Sequence, residues 1–305
     1  VTGHPLTTAG GVTVAVILPN WNGAGILERC LRSILDQDID LELVVVDNGS
    51  TDGSADSLRR LESEEPRLRC HYNRDNRLFA AACNQAWEMT TAELVVVANN
   101  DVEPRPGVIH ALVGHAVADP GVGIVSPRFM LPDGRFQEAY RRLPTVLFML
   151  AHYHRLGRAV DRLMLGRRIQ NRYFYRDLVL EGTPDVEQAG ASFNLVRRSA
   201  VVAAGGLFDE RFPLLFNDVD LYRRVRAAGY RSVVLPEAVV IHHDGVASRA
   251  MDRRLYLEYQ RTGMLRYFRK HHPLRAAALG LVWPGRWLAS LRRPGEPGRQ
   301  EAGDA

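Results

Sequence analysis

Four places in this 305-residue chain set an acidic or imidazole side chain where a strand is expected to end. They are Asp47 after the apolar run 43–46, Asp101 in ANNDVEP, Asp218 with Asp220 in FNDVDL, and His242 with His243 in VVIHHDG. A continuous apolar run such as 43–46 fits a strand covered on both faces, and open α/β sheets collect ligands outside the carboxyl ends of such strands. At such a rim, Asp47 and Asp52 of the DNGSTDGS turn suit a nucleotide. Asp101 suits a divalent cation that grips a diphosphate. Mg2+ and Mn2+ take one or two protein carboxylates and leave their other positions to phosphate and water, with His242 able to complete the sphere of Mn2+. Asp218 suits a general base for a hydroxyl, which needs position more than a large pKa shift. Each residue also has a plainer reading: an Asx-rich turn at 47–52, a turn cap before Pro104, a strand-end histidine, and a helix N-cap at Asp218. Their shared placement on one rim is what favours chemistry. Asp220, two residues on, points elsewhere on its helix and suits an arginine of the RRVR run.

Alternation of elements must build that rim. VTVAVILP (12–19) reads as a strand, and residues 24–37 place Ile26, Leu27, Cys30, Leu31, Ile34 and Leu35 at helical spacing. Strand 43–47, a helix near 53–61, strand 68–72, a helix over 79–89 and strand 93–98 repeat the unit. A helix over 107–119, a strand at 123–127 and a hairpin turn at LPDG (131–134) follow. Residues 139–182 mix arginines with aromatics and read as irregular or helical structure laid over the sheet. Strand 191–198, a short helix, a helix over 218–230 stopped by Gly229, and an extended segment at 232–243 complete the pattern. Strands alternating with helices imply a doubly wound, mostly parallel α/β sheet.

Composition bounds the rest. The net charge of +4 comes almost wholly from arginine, Lys270 being the single lysine. Arginine suits bidentate contact with phosphate, and equally an ordinary solvated surface. Cys30, Cys70 and Cys83 have no CxxC spacing, which argues against a disulfide framework or a structural zinc and for a reducing compartment. Residues 1–11 lack the basic and apolar regions of a signal peptide, and no run reaches the roughly 18 apolar residues of a spanning helix, so a cytoplasmic protein is expected. Residues 274–291 are apolar but cut by Arg275, Pro284 and Arg286. They suit either a bilayer interface, with Trp283 and Trp287 at headgroup level, or a helix packed on the domain.

VILPNWN, VVVDNGSTDGS, ANNDVEPRPG, GASFNLVRRSA, GGLFDERF, FNDVDLYRRVRAAGY and VVIHHDGVAS, in this order, resemble the bacterial family 2 glycosyltransferases, in particular their rhamnosyltransferase-like branch. The resemblance covers about residues 12–270 and implies a GT-A, Rossmann-like fold with a C-terminal helical extension. It divides the chain into a disordered tail at 1–11, a catalytic domain at 12–247, a helical extension with a candidate membrane contact at 248–293, and a disordered tail at 294–305.

The resemblance also implies the roles. Pro19, Asn20, Asn22, Asp47, Asn48, Asp52, Asn76, Asn99 and Asn100 would hold the donor nucleotide, with Asp47 accepting from the N3–H of uracil or thymine. Asp101 and His242 would hold Mg2+ or Mn2+, and Asp218 would be the base. The expected reaction is inverting, metal-dependent transfer from a dTDP- or UDP-linked sugar, L-rhamnose among the candidates. The acceptor would be a hydroxyl of a glycan or a polyprenyl-diphosphate-linked glycan at the inner face of the membrane, in cell-surface polysaccharide synthesis. Nucleic acid is not an expected partner. Three positions depart from the family pattern: Asn99 stands where some members have Asp, Asn217 where Glu is usual, and Leu78 where Gly is usual. A non-catalytic nucleotide-sugar-binding or scaffold protein of the same fold is the alternative. A nicotinamide-dependent Rossmann enzyme would need G-x-G-x-x-G where PNWNGAG stands.

Overall fold

The computed structural model describes residues 12–153, 164–243 and 253–282. The N-terminal half repeats one unit. β1 (Val14–Asn20), β2 (Glu42–Asp47), β3 (Leu68–Tyr72) and β4 (Leu94–Ala98) are joined through α1 (Leu27–Leu35), α2 (Ser54–Glu64) and α3 (Leu78–Glu88). β1, β2 and β4 form because their β-branched residues are buried on both faces, while β3, an edge strand of the sequence LRCHY, is only partly buried. In β1, Val14, Val16 and Leu18 enter one apolar layer with Leu31 and Ile34 of α1 and Leu58 of α2, while Ala15 and Ile17 enter the other with Ala82 and Ala86 of α3. Fully burying each such Val, Leu or Ile contributes roughly 1.5–3 kcal/mol.

The second half adds β5 (Val102–Pro104), α4 (Val108–Ala118), β6 (Val122–Met130), β7 (Tyr140–Arg141), α5 (Val146–Tyr153), α6 (Met164–Tyr173) and β8 (Gln188–Ala189). It continues with β9 (Phe193–Arg197), α7 (Arg198–Ala203), α8 (Asn217–Ala227), β10 (Arg231–His242), α9 (Arg253–His271) and α10 (Pro273–Val282). The eight-stranded sheet runs β3-β2-β1-β4-β9-β6-β10-β5. It is parallel from β3 to β4 and again between β6 and β10. β9 is antiparallel to both of its neighbours, and β5 is antiparallel to β10 at the edge. The sheet is therefore mixed: the apolar pattern placed β9 but could not give its direction, which depends on where the chain re-enters. Leu131 N–H bonds to the Arg135 carbonyl, closing the expected turn after β6.

The segment over 139–182 contains α5 and α6, and β7 pairs with β8 in a separate two-stranded ribbon. A third apolar cluster joins Phe148 and Met149 of α5 to Phe212, Val219, and Met264, Leu265, Tyr267 and Phe268 of α9. Ala276 of α10 is buried in the same cluster, so the start of the C-terminal extension is packed on the domain. Among the described residues no helix is long and apolar enough to cross a membrane. The expected terminal tails and both tryptophans of the interfacial segment, Trp283 and Trp287, lie outside the described residues.

Candidate functional site

The carboxyl ends of β1 and β4, the loop before β9, the end of β10, and the first turns of α3 and α8 surround one cleft of about 310 Å3. Pro19, Asn20, Asn48, Asn76, Asn99, Asn100, Asp101, Asp218 and His242 all line it. The cleft thus gathers residues from positions 19 to 242, nine of the twelve expected from sequence.

The other three lie outside the lining: Asp47 is buried next to Asn20, and Asn22 and Asp52 are exposed in the neighbouring loops. β1 and β2 pair in parallel with Asn20 opposite Asp47, so their side chains lie side by side. Asn20 Nδ2 donates to Asp47 Oδ1 at 2.9 Å, Ser50 N–H donates to Asp47 Oδ2 at 3.0 Å, and Asn100 Nδ2 donates to Asn20 Oδ1 at 2.7 Å. Asp47 is 2% exposed and does not line the cleft. The carboxylate expected at the nucleobase thus holds Asn20, and Asn20 with Asn100 meets the cleft. Gly23 is required beside this relay, because a Cβ there would come within 2.5 Å of both asparagine side chains.

Asn22 and Asp52, also expected at the nucleotide, hold the loop beside the cleft. Asn22 Oδ1 accepts from Thr51 N–H, and Asp52 accepts from Ala24 N–H at 2.8 Å and from Ser54 N–H at 3.0 Å. Burial would raise the Asp52 pKa, but the donors from Ser54 and Ala24 outweigh it and hold the carboxyl below its usual value. Leu78, in the cleft wall, has φ of 67°. A side chain in that left-handed region costs roughly 1–2 kcal/mol, which is the physical reason for the glycine usual at this position. Asn76 Oδ1 holds the turn by accepting from Leu78 N–H and from Asn48 Nδ2, each at 2.9 Å.

His242 reaches Asp101 through backbone pairing. β10 runs antiparallel to β5 with His242 opposite Val102, and His243 N–H donates to the Asp101 carbonyl. His242 Nδ1 lies 2.9 Å from Gln137 Oε1, an acceptor, so Nδ1 donates there and the ring is turned with Nε2 toward Asp101. Nε2 lies 3.3 Å from Asp101 Oδ1. At that distance the imidazole pairs with the carboxylate directly, or the two share a cation. Cis ligands of an octahedral ion at about 2.1 Å stand about 3 Å apart, so the pair fits Mg2+ or Mn2+ with Gln137 orienting the imidazole. Among the described residues no group of three His, Cys, Asp or Glu converges on a metal, so a cation held here would take Asp101 and His242 from the protein and its remaining ligands from phosphate and water. Asn99 Oδ1 is buried in the cleft wall with no hydrogen-bond partner among the described residues. None of the residues lining the cleft is a lysine or arginine.

Asp218 sits in the first turn of α8, after Phe216 at φ 71°. Its Oδ1 accepts from Val219 N–H at 2.8 Å. Burial raises its pKa, opposed by Val219 N–H and by the charge of Arg141. One helical turn below, Tyr222 is buried and its hydroxyl lies 2.8 Å from Ser126 Oγ, which donates to Asn194 Oδ1 at 2.7 Å. That chain ties α8 to β6 and β9. Asp220 faces the other way, as its spacing suggested. It binds Arg224 at 2.7 Å, Lys270 at 2.8 Å and His271 at 2.7 Å, docking α9 on α8.

Sequence reasoning passed over Trp21, Phe79, Ser192 and Tyr256, which also line the cleft. Trp21 and Ser192 stand inside motifs already singled out, PNWN and GASFN, and Phe79 follows the unusual Leu78. Tyr256 arrives on α9 and has no local signal. Burial pushes the Cys30 and Cys70 thiols up to about 12 and that of Cys83 well above its usual value, which makes all three poor nucleophiles.

Comparison with known proteins places this geometry. An uncharacterized protein of Sinorhizobium fredii is 32% identical over 246 residues, which cover 78% of this chain and 25% of that protein, so the chain spans only a quarter of that relative. The N-acetylglucosaminyl-diphospho-decaprenol L-rhamnosyltransferase of Mycobacterium tuberculosis is 31% identical over 229 residues, 71% of each chain. Among solved structures, the mannosyltransferase PcManGT from Pyrobaculum calidifontis, in complex with GDP-Man and Mn2+, aligns with a TM-score of 0.56 at 21% identity. That alignment covers 95% of this chain and 76% of that one, and the shared fold is that of GT-A glycosyltransferases. Residues 15–201 match the model of glycosyl transferase family 2, and the chain belongs to that family.

Proposed function

We propose that this protein transfers a sugar, with L-rhamnose the leading candidate, from a dTDP- or UDP-linked donor to a hydroxyl of a lipid-linked glycan, with inversion at the anomeric carbon. The observation that carries the reading is the charge of the cleft. Its described lining holds Asp101, Asp218 and His242 and no cationic side chain, in a protein otherwise rich in arginine. A diphosphate cannot be held against two carboxylates without positive charge, and Asp101 with His242 is where a divalent ion fits. The ion would neutralise charge on the departing diphosphate. The rhamnosyl and lipid-diphosphate parts of the proposal are supported by the mycobacterial relative, whose name gives both.

Each residue then has a task. Asn76 and Asn100 offer amide groups to the nucleoside, with Asn20 and Asn48 holding the wall through their own hydrogen bonds and Trp21 and Phe79 as its apolar part. Asp218 accepts the proton of the acceptor hydroxyl as the bond from that oxygen to the anomeric carbon forms. The bond from that carbon to the diphosphate oxygen breaks on the opposite face, so one displacement inverts the centre. The raised pKa of Asp218 makes it a better base than an ordinary carboxylate.

The test is to incubate purified protein with a nucleotide-diphosphate sugar, Mn2+ and an acceptor glycan, and to read the product anomer by NMR. A product of inverted configuration is expected. A retained configuration would remove the single-displacement mechanism, and donor binding with neither transfer nor hydrolysis would favour the scaffold reading.

A further inference from the structure

The ribbon of β7 and β8 has two faces. Arg141 lines a recess of about 210 Å3 that shares Ser192, Asp218 and His242 with the cleft. Arg142 is the next residue along an extended strand, where successive side chains take opposite faces. It lines a different recess of about 580 Å3, with Arg168, Asn171, Arg172, Arg176 and Asp177. Four guanidiniums therefore surround one carboxylate on the far side of a two-residue strand from the reacting centre.

The pieces are held in place unequally. Arg142 is fixed by two bonds to Asp177, at 2.9 and 2.8 Å, and by stacking 4.1 Å over Tyr175. Asp177 is thus committed to Arg142. Arg176 donates to Asn171 Oδ1 at 3.1 Å and stands 3.9 Å from Glu138. Arg168 and Arg172 are one turn apart on α6, exposed, and without an ion-pair partner among the described residues. Like charges at that spacing destabilise a helix, and planar guanidiniums converging on one hollow match phosphate oxygens.

We propose that this recess binds the phosphate or diphosphate group of the acceptor. The inference rests on the reading above, in which the acceptor hydroxyl meets Asp218. It adds the place where the anionic part of the same molecule is gripped after passing the short ribbon. The donor diphosphate is held elsewhere, at Asp101 and His242, so the two anionic groups do not compete.

The test uses Arg168→Gln/Arg172→Gln in the full chain. Transfer is measured to a diphosphate-linked acceptor and to an alkyl glycoside of the same sugar. Two charge-assisted hydrogen bonds lost at about 1.5 kcal/mol or more each predict a KM at least about 100-fold higher for the diphosphate acceptor. The turnover number, the donor KM and the alkyl glycoside KM should stay unchanged. Equal effects on both acceptors, or none on either, would overturn the proposal. Inorganic pyrophosphate titrated in EDTA, with Arg141 beside the cleft the same in both proteins, provides a readout independent of turnover. Binding to the parent protein that is lost in the variant supports the recess even if no acceptor is turned over, and equal titration of both proteins overturns it. Loss of binding to phosphatidylglycerol vesicles with pyrophosphate binding intact would reassign the arginines to a membrane surface and also overturn it.

Discussion

At Asp218, burial works against charge. The raised pKa means that the native state holds this proton more tightly than the unfolded chain does. Its ionisation therefore costs stability above the folded pKa, a cost absent below the ordinary carboxylate value of about 3.9. Asp218→Asn should accordingly unfold at a higher temperature at neutral pH while its turnover falls by roughly 10²–10⁴-fold and donor affinity stays near native. Scanning calorimetry and steady-state kinetics on one preparation check both halves, and full activity in the variant would remove the base assignment. Much of this was legible in the residues: Asp101, Asp218 and His242 were singled out by type and position, and they share the cleft. What the residues could not show is the β1–β2 register, which sets Asn20 against Asp47 and so joins the two side chains at the cleft's edge.

Helices α8 and α9 act as a unit through Asp220, whose side chain is 0% exposed. Burial alone would raise its pKa, but His271, Arg224 and Lys270 outweigh that and hold it below the usual value. A depressed carboxyl contributes stability above its unfolded pKa and loses that contribution as pH falls through the folded value. Asp220→Asn removes the carboxylate from Arg224 and His271 while Lys270 keeps Asp209, and should cost about 2–3 kcal/mol at neutral pH, with a shallower loss of stability below pH ~4 than the parent. Urea titrations across pH measure this, and a variant as stable as the parent would show that α9 is held by its apolar face alone. Gly263 marks how closely the helices meet, since a Cβ there would come within 3.0 Å of the Leu215 carbonyl and the Phe216 ring, just before Asp218. The helical spacing of α1 to α4 was readable because each has one apolar face on one sheet. The ribbon of β7 and β8 was not, since two-residue strands carry no period.

For the molecule as a whole, the lack of cationic side chains in the described cleft lining predicts cooperative loading. A nucleoside diphosphate without metal should raise the melting temperature little, and Mn2+ alone little. Together they should raise it by several degrees, since ligand at about 100 times its Kd stabilises by about 2.7 kcal/mol. Asp101→Ala should abolish the difference in a thermal-shift titration. A full shift by the nucleotide in EDTA would contradict it. The α/β class and most strand positions followed from apolar runs and turns, whereas the mixed direction of the sheet did not, because pairing partners far apart in sequence decide it.

The position of β9 has a consequence for synthesis. It is the only link in the sheet between the β3-β2-β1-β4 half and the β6-β10-β5 half. β4 ends at Ala98, but its second partner begins at Phe193. While the ribosome makes the intervening 94 residues, the nascent chain carries a fully apolar strand with an unpaired side, a template for adhesion to other chains. Its early life should therefore depend on a chaperone to cover that edge until one short, late strand closes the gap.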